Sequence, residues 1–221
     1  MAMKPTNPKD ISACGHWLRY GCLVALWLCA GSAAAQPTVF HVDTTEDDVD
    51  AFSDDALCRT ANGQCSLRAA VQEANRGSIA DVTIVLPAGL YRLTRHGIDE
   101  DDSATGDLDI QVSLNVVGAG SAMTVIDGDA SDFVIDARPR DGNPGMALRT
   151  LRLQGLTLTG AVFSIPPPSG AFAALIVGDG VQGTLRDVVV RDNATPGIDN
   201  RGCLEGFNVR VVGNARQPDR A

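Results

Sequence analysis

Carboxylates are the most concentrated chemistry in this sequence. Asp99-Glu100-Asp101-Asp102 is followed closely by Asp107 and Asp109, around Gly106. Hard oxygen donors at such close spacing suit Ca²⁺. Asp99, Asp101, Asp102, Asp107 and Asp109 are therefore the metal-ligand set the sequence offers, although their spacing is not that of a defined Ca²⁺ loop. No other cofactor is expected. A second acidic run, Asp43 to Asp55, carries seven carboxylates (Asp43, Glu46, Asp47, Asp48, Asp50, Asp54 and Asp55) and is a further candidate for the same ion. Nucleophilic chemistry has little to draw on. Beyond residue 35 the only histidines are His41 and His96, and no G-x-S-x-G stretch occurs. A hydrolytic triad needs a His with a placed nucleophile and an acid, so no catalytic residue is expected.

The first 35 residues read as an export signal. Lys4, Lys9 and Arg19 precede the apolar run Cys22–Ala30, and small residues lead to Ala33-Ala34-Ala35. A charged n-region, a short h-region and an A-x-A site predict cleavage after Ala35. The run is too short to span a bilayer, which takes roughly 20 apolar residues, so no membrane span is expected after cleavage. Removing 1–35 takes away three of the 18 Lys and Arg and one of the 27 Asp and Glu, leaving 15 bases against 26 acids and a net charge of −11. Such a chain is a poor nucleic-acid ligand, because phosphate binding needs clustered cations. Export implies a secreted or cell-surface location, where disulfides persist. Cys58 and Cys65 flank a turn-like Thr60–Gly63 and are expected to form one disulfide. The rival reading, a metal pair, lacks C-x2-C spacing and nearby histidines. Cys203 is left unpaired and is expected to be buried in a β layer.

Aromatics are scarce at 5% and Gly is abundant at 23 residues. A core of Val, Ile, Leu and Ala in thin layers, with tight corners, favours a repetitive β architecture. Short strand-like runs recur, among them Val82–Leu86, Leu90–Leu93, Val112–Val117 and Thr124–Ile126. A weak repeat follows, starting at Leu151, Gly183 and Gly202, the last two 19 residues apart. The first copy is displaced by an insertion, Phe163 to Phe172. This is a solenoid signature, with Asn193 and Asn214 expected to stack at a corner and tolerate a left-handed backbone. A β-sandwich is the alternative architecture.

One segment breaks the β pattern. In Cys65–Asn75, Leu67, Ala70, Val71 and Ala74 form one apolar helical stripe, with Arg68, Gln72, Glu73 and Asn75 expected to face outward. Ser66 is placed as N-cap and Gly77 as the stop. The expectation is a short helix with a polar outer face, capping the open end of the first coil.

The segments "CSLRAAVQEAN", "DVTIVLPAGLYRLT", "GIDEDDSATGDLDI", "LNVVGAGSAMTVIDG" and "LRDVVVRDNATPGIDNRG" together resemble the CSLREA-domain family of exported bacterial proteins. The resemblance covers nearly all of the chain after residue 35. It implies an all-β fold, a right-handed parallel β-helix with a short N-terminal capping helix, and little about activity. The expected organisation is a signal at 1–35, a cap at 36–80 and coils over 81–221, with truncation at the C-terminus as one reading. The family has Glu where this chain has Ala69. Ser66-x-x-Glu would be a capping box, so an Ala69→Glu change is expected to add about 0.5–1 kcal/mol.

Some β-helix proteins are polysaccharide lyases or hydrolases. Neither His is flanked by Gly on both sides, as the polygalacturonase-like motif requires, and Arg138-Pro139-Arg140 lacks the wider spacing of pectate-lyase-like sites and reads as solvated. The expected function is a non-catalytic extracellular or surface module for structure, adhesion or contact with a glycan or surface protein. A carbohydrate-active enzyme is the alternative, recognisable by carboxylates, or an Arg with Ca²⁺, clustered across adjacent coils. A truncated, non-functional remnant is the third reading. An uncapped last coil is expected to self-associate.

Overall fold

The computed structural model describes residues 38–53, 55–76, 82–97, 100–129, 133–139, 149–162 and 173–215. The chain divides into Met1–Ala35 and Gln36–Ala221. The export signal, Asp54, Gly77, Asp99 and Arg140 lie outside the described residues.

Strands of alternating pattern stack in parallel, coil upon coil. The large sheet runs β1 (Val39–His41), β2 (Val82–Leu86), β5 (Leu114–Gly118), β8 (Arg149–Thr159), β10 (Val181–Arg191) and β12 (Cys203–Val212), with β3 (Gly89–Arg92) and β6 (Thr124–Asp127) alongside and β6 pairing β8. The second sheet runs β4 (Leu108–Asp109), β7 (Ile135–Ala137), β9 (Leu175–Val177) and β11 (Ile198–Asn200). Every strand pair in both sheets is parallel. The fold is a parallel β-helix solenoid with one short helix, α1 (Leu67–Arg76).

Register turns the repeat into columns of side chains. Ile84, Val116, Leu153 and Leu185 are successive register partners, as are Tyr91, Ile126, Leu158 and Val190. All are buried. Each Val, Leu or Ile so buried contributes about 1.5–3 kcal/mol, so a core of thin layers suffices without large rings. Strands of one coil meet at left-handed corners. Gly155, Asp187 and Asn208 take φ of 62°, 51° and 54° between the two arms of β8, β10 and β12. The true period of the last coils is 21 residues, since Gln182 pairs with Cys203 and Val190 with Val211. The 19-residue spacing read from the repeat starts is two short, because Gly183 and Gly202 do not occupy equivalent positions.

Asn193 and Asn214 do stack, with Asn193 Nδ2 donating to Asn214 Oδ1 at 2.8 Å and Asn193 Oδ1 accepting from Ala161 N at 2.9 Å. The left-handed residues are their neighbours Asp192 and Gly213, which turn the chain so that the amides point along the ladder.

Helix α1 packs against β2 and β4 at the start of the solenoid. Ser66 caps it as expected, its Oγ accepting from Ala69 N at 3.0 Å. The polar outer face is not there. Arg68, Gln72 and Glu73 are buried and Asn75 is half-buried. The acidic segment 43–55 covers the helix. Asp47 binds Arg68, Asp43 Oδ1 accepts from Cys65 N at 2.8 Å, and Glu73 Oε1 accepts from Ala56 N at 2.5 Å. Asp43 and Asp47 thus act as acceptors for the groups at the start of the helix. Cys58 and Cys65 are disulfide-bonded, with Cα atoms 5.1 Å apart. Cys203 is exposed rather than buried, because it opens β12, whose side chains mostly face water.

A buried carboxylate cluster as the candidate functional site

Helix α1 does more than cover the first coil. Arg68, Gln72 and Asn75 lie at i, i+4 and i+7, one polar stripe, and all three hold segment 101–111. Arg68 reaches the carbonyls of Gly106 at 2.7 Å, Ser103 at 3.0 Å and Asp107 at 3.4 Å, while its Nε meets Asp47 Oδ1 at 2.6 Å. Gln72 Nε2 donates to Asp102 O at 3.3 Å. Asn75 donates to Asp109 O at 2.6 Å and accepts from Gln111 N at 2.9 Å. Ser103 closes the loop on itself, its Oγ accepting from Asp109 N at 2.8 Å.

The clamped loop delivers two carboxylates to the second sheet. Asp109 in β4 is the register partner of Asp136 in β7. Asp107, Asp109 and Asp136 are all buried, and each presents an oxygen within 4.8 Å of the others. Arg138 grips Asp136, its Nε 2.7 Å from both carboxylate oxygens and its Nη2 bonded to Oδ2. Asp101, Asp109, Gln111, Asp136, Arg138 and Pro139 line a polar cleft of about 200 Å³.

Burial sets the charge state. Asp109 is pushed up to about 8, first by desolvation, then by the neighbouring charges of Asp136 and Glu100, with only a weak opposing bond from Ser103 N. Desolvation also raises Asp136, opposed by its bonds to Arg138. The Arg138 guanidinium is held still more firmly protonated by Asp136. At neutral pH, Asp109 therefore keeps its proton, beside an Asp136 that Arg138 bonds through both carboxylate oxygens. A hard cation is the other way to neutralise such a set, with carboxylate oxygens as ligands.

The five sequence-derived ligands do not act as one group. Asp107 and Asp109 come together, Asp101 reaches only the cleft wall, and Asp102 is exposed, its main chain tied to Glu100 and Gln72. Asp99 lies outside the described residues. Asp136 stands outside the sequence-derived set, although Ile135-Asp136-Ala137 has the strand pattern of Leu108-Asp109-Ile110 one coil earlier, and that likeness is the signal the sequence carries. Arg138, expected to be solvated, is half-buried on Asp136. Both His41 and His96 are exposed.

No family model, no curated protein and no solved structure matches this chain. The functional reading therefore rests on geometry. Besides the carboxylate cleft, the solenoid offers the outer face of its large sheet. There Thr83, Asn115, Arg152, Thr184 and Glu205 form one outward column, and Gln154, Arg186 and Phe207 extend the next. Arg186 lies over the Phe207 ring at 4.4 Å. A shallow groove of about 240 Å³ opens between Thr83, Ser113, Asn115, Thr150 and Arg152. No helix among the described residues is long and apolar enough to cross a membrane.

Proposed function

We propose that this chain is an exported, non-catalytic β-solenoid module of the CSLREA-domain type that contacts an extracellular glycan or surface protein through the outer face of its large sheet. The observation that carries the reading is the pair of outward columns. Amide, hydroxyl and guanidinium groups repeat at strand spacing, about 4.8 Å, with an exposed aromatic at the far end. A pyranose presents ring hydroxyls at comparable separations, and a flat ladder meets several at once. The disulfide supports an oxidising compartment. A glycan array probed with the purified chain, with and without Ca²⁺, tests the reading. Binding to a defined glycan class that falls on Arg152→Ala or Arg186→Ala supports it. Absence of binding, or binding indifferent to both changes, removes it.

The carbohydrate-active alternative has one observation of its own. Asp109 and Asp136 are two buried carboxyls on adjacent coils with oxygens within 4.8 Å of each other, and glycosidases work through a carboxyl pair. Against it, both side chains are buried and Asp136 is bonded by Arg138, so neither presents itself to a polymer. Release of reducing ends from a polysaccharide, abolished by Asp136→Asn, would favour the enzyme.

A further inference from the structure

The last described coil leaves unfinished what every earlier coil completes. Leu204, Gly206, Val209 and Val211 occupy the interior positions of β12, in register with Gly183, Leu185, Val188 and Val190. Leu185, Val188 and Val190 are buried, yet Val211 is 49% exposed. The edge of β12 away from β10 carries no strand among the described residues. An unpaired apolar edge invites another strand.

Antiparallel pairing of β12 with a second β12 fits side chain by side chain. With Leu204 opposite Val211, Gly206 falls opposite Val209, Glu205 opposite Arg210 and Cys203 opposite Val212. Interior residues then meet interior residues, outward residues meet outward ones, and the two outward charges are of opposite sign. Among the described residues, neither Glu205 nor Arg210 has an ion pair of its own. Sliding by one residue would set interior against exterior side chains. The corner also fits. β12 bends at Asn208, between arms 203–207 and 209–212. The two-fold axis falls between Phe207 and Asn208, beside the bend, so each arm lies on the other arm of the second copy with Asn208 opposite Phe207. The opposite end of the solenoid is covered by α1 and its edge strand β1 has only three residues. Head-to-tail stacking therefore lacks a matching edge, and the pairing closes as a dimer.

We propose that this chain forms a two-fold dimer by antiparallel, edge-to-edge pairing of β12, with two reciprocal Glu205–Arg210 pairs. The dimer is independent of the glycan reading. Light scattering and sedimentation of the purified chain test it, with dimeric mass expected at micromolar concentration. Glu205→Arg places Arg opposite Arg twice, and Arg210→Glu places Glu opposite Glu twice. Each is expected to raise the dimer dissociation constant about tenfold or more, since like charges across strands destabilise a pair that opposite charges favour. The double exchange restores the original affinity. Both positions are exposed, so folding is unaffected. The two Cys203 side chains lie at opposite ends of the paired strands, so Cys203→Ser leaves the dimer intact. A chain still monomeric above about 100 µM, a dimer insensitive to the single exchanges, a double exchange that fails to rescue, or a dimer dissolved by Cys203→Ser would each overturn the proposal.

Discussion

Replacing Asp109 by Asn removes one titration without changing shape. In the unfolded chain this carboxyl ionises near 3.8, whereas in the folded chain it ionises near 8, chiefly because burial penalises its charge. Between those values the folded state keeps a proton that the unfolded state has released. Each unit of rising pH therefore favours unfolding by about 1.4 kcal/mol. The contribution is fully present below about pH 4, declines as pH rises, and is lost by the time pH passes about 8. Between pH 5 and 8 the wild-type chain should lose about 4 kcal/mol from this group. In Asp109→Asn the amide oxygen takes the bond from Ser103 N and the amide N–H turns toward Asp136, with no proton to lose. Urea unfolding at unit pH steps from 5 to 9, in chelator, measures both proteins. The variant's advantage over wild type should grow by about 4 kcal/mol from pH 5 to 8 and then level off. Parallel stability curves would refute the reasoning. Adding Ca²⁺ extends the test. If the ion substitutes for the proton among Asp107, Asp109 and Asp136, wild type recovers stability at alkaline pH and Asp109→Asn does not.

Arg68→Met should destabilise the fold by about 3–5 kcal/mol, because it leaves Asp47 buried without its cation and strips donors from three carbonyls; chemical denaturation measures it. Ala69→Glu should lose about 1–3 kcal/mol rather than gain from a capping box, since Ala69 has no exposed surface and a Glu there must be forced into filled space; a raised melting temperature would restore the capping-box reading. Reducing Cys58–Cys65, or changing both to Ser, should cost about 2–3 kcal/mol by freeing a short loop in the unfolded chain, read from urea midpoints. Asn193→Ala should cost about 1–3 kcal/mol, because Ala161 N and the Asn214 amide lose a buried partner, again by denaturation.

The helix illustrates how far pattern carries. Its span, its apolar stripe and its Ser66 cap were all readable, because 3.6-residue periodicity and cap chemistry are local. Its exposure was not. Arg68, Gln72 and Asn75 form a polar stripe, and a polar stripe ordinarily faces water. Here it faces backbone carbonyls and an acidic loop that also need partners, and no local rule distinguishes the two. Asp136 was overlooked for a similar reason. Alone in its strand it reads as an ordinary acid, and only the register of β4 with β7 sets it beside Asp109.

Period-2 alternation, Gly-rich corners and scarce aromatics determined a solenoid of thin parallel layers, and the short Cys58–Cys65 spacing determined its disulfide. Those are properties of neighbours along the chain. The tertiary structure alone decided which carboxylates share a site, which Arg binds them, and which strand edge has no neighbour among the described residues. Each depends on coil-to-coil register, which brings together residues 21 or more apart, and burial at that contact then fixes the charge they carry.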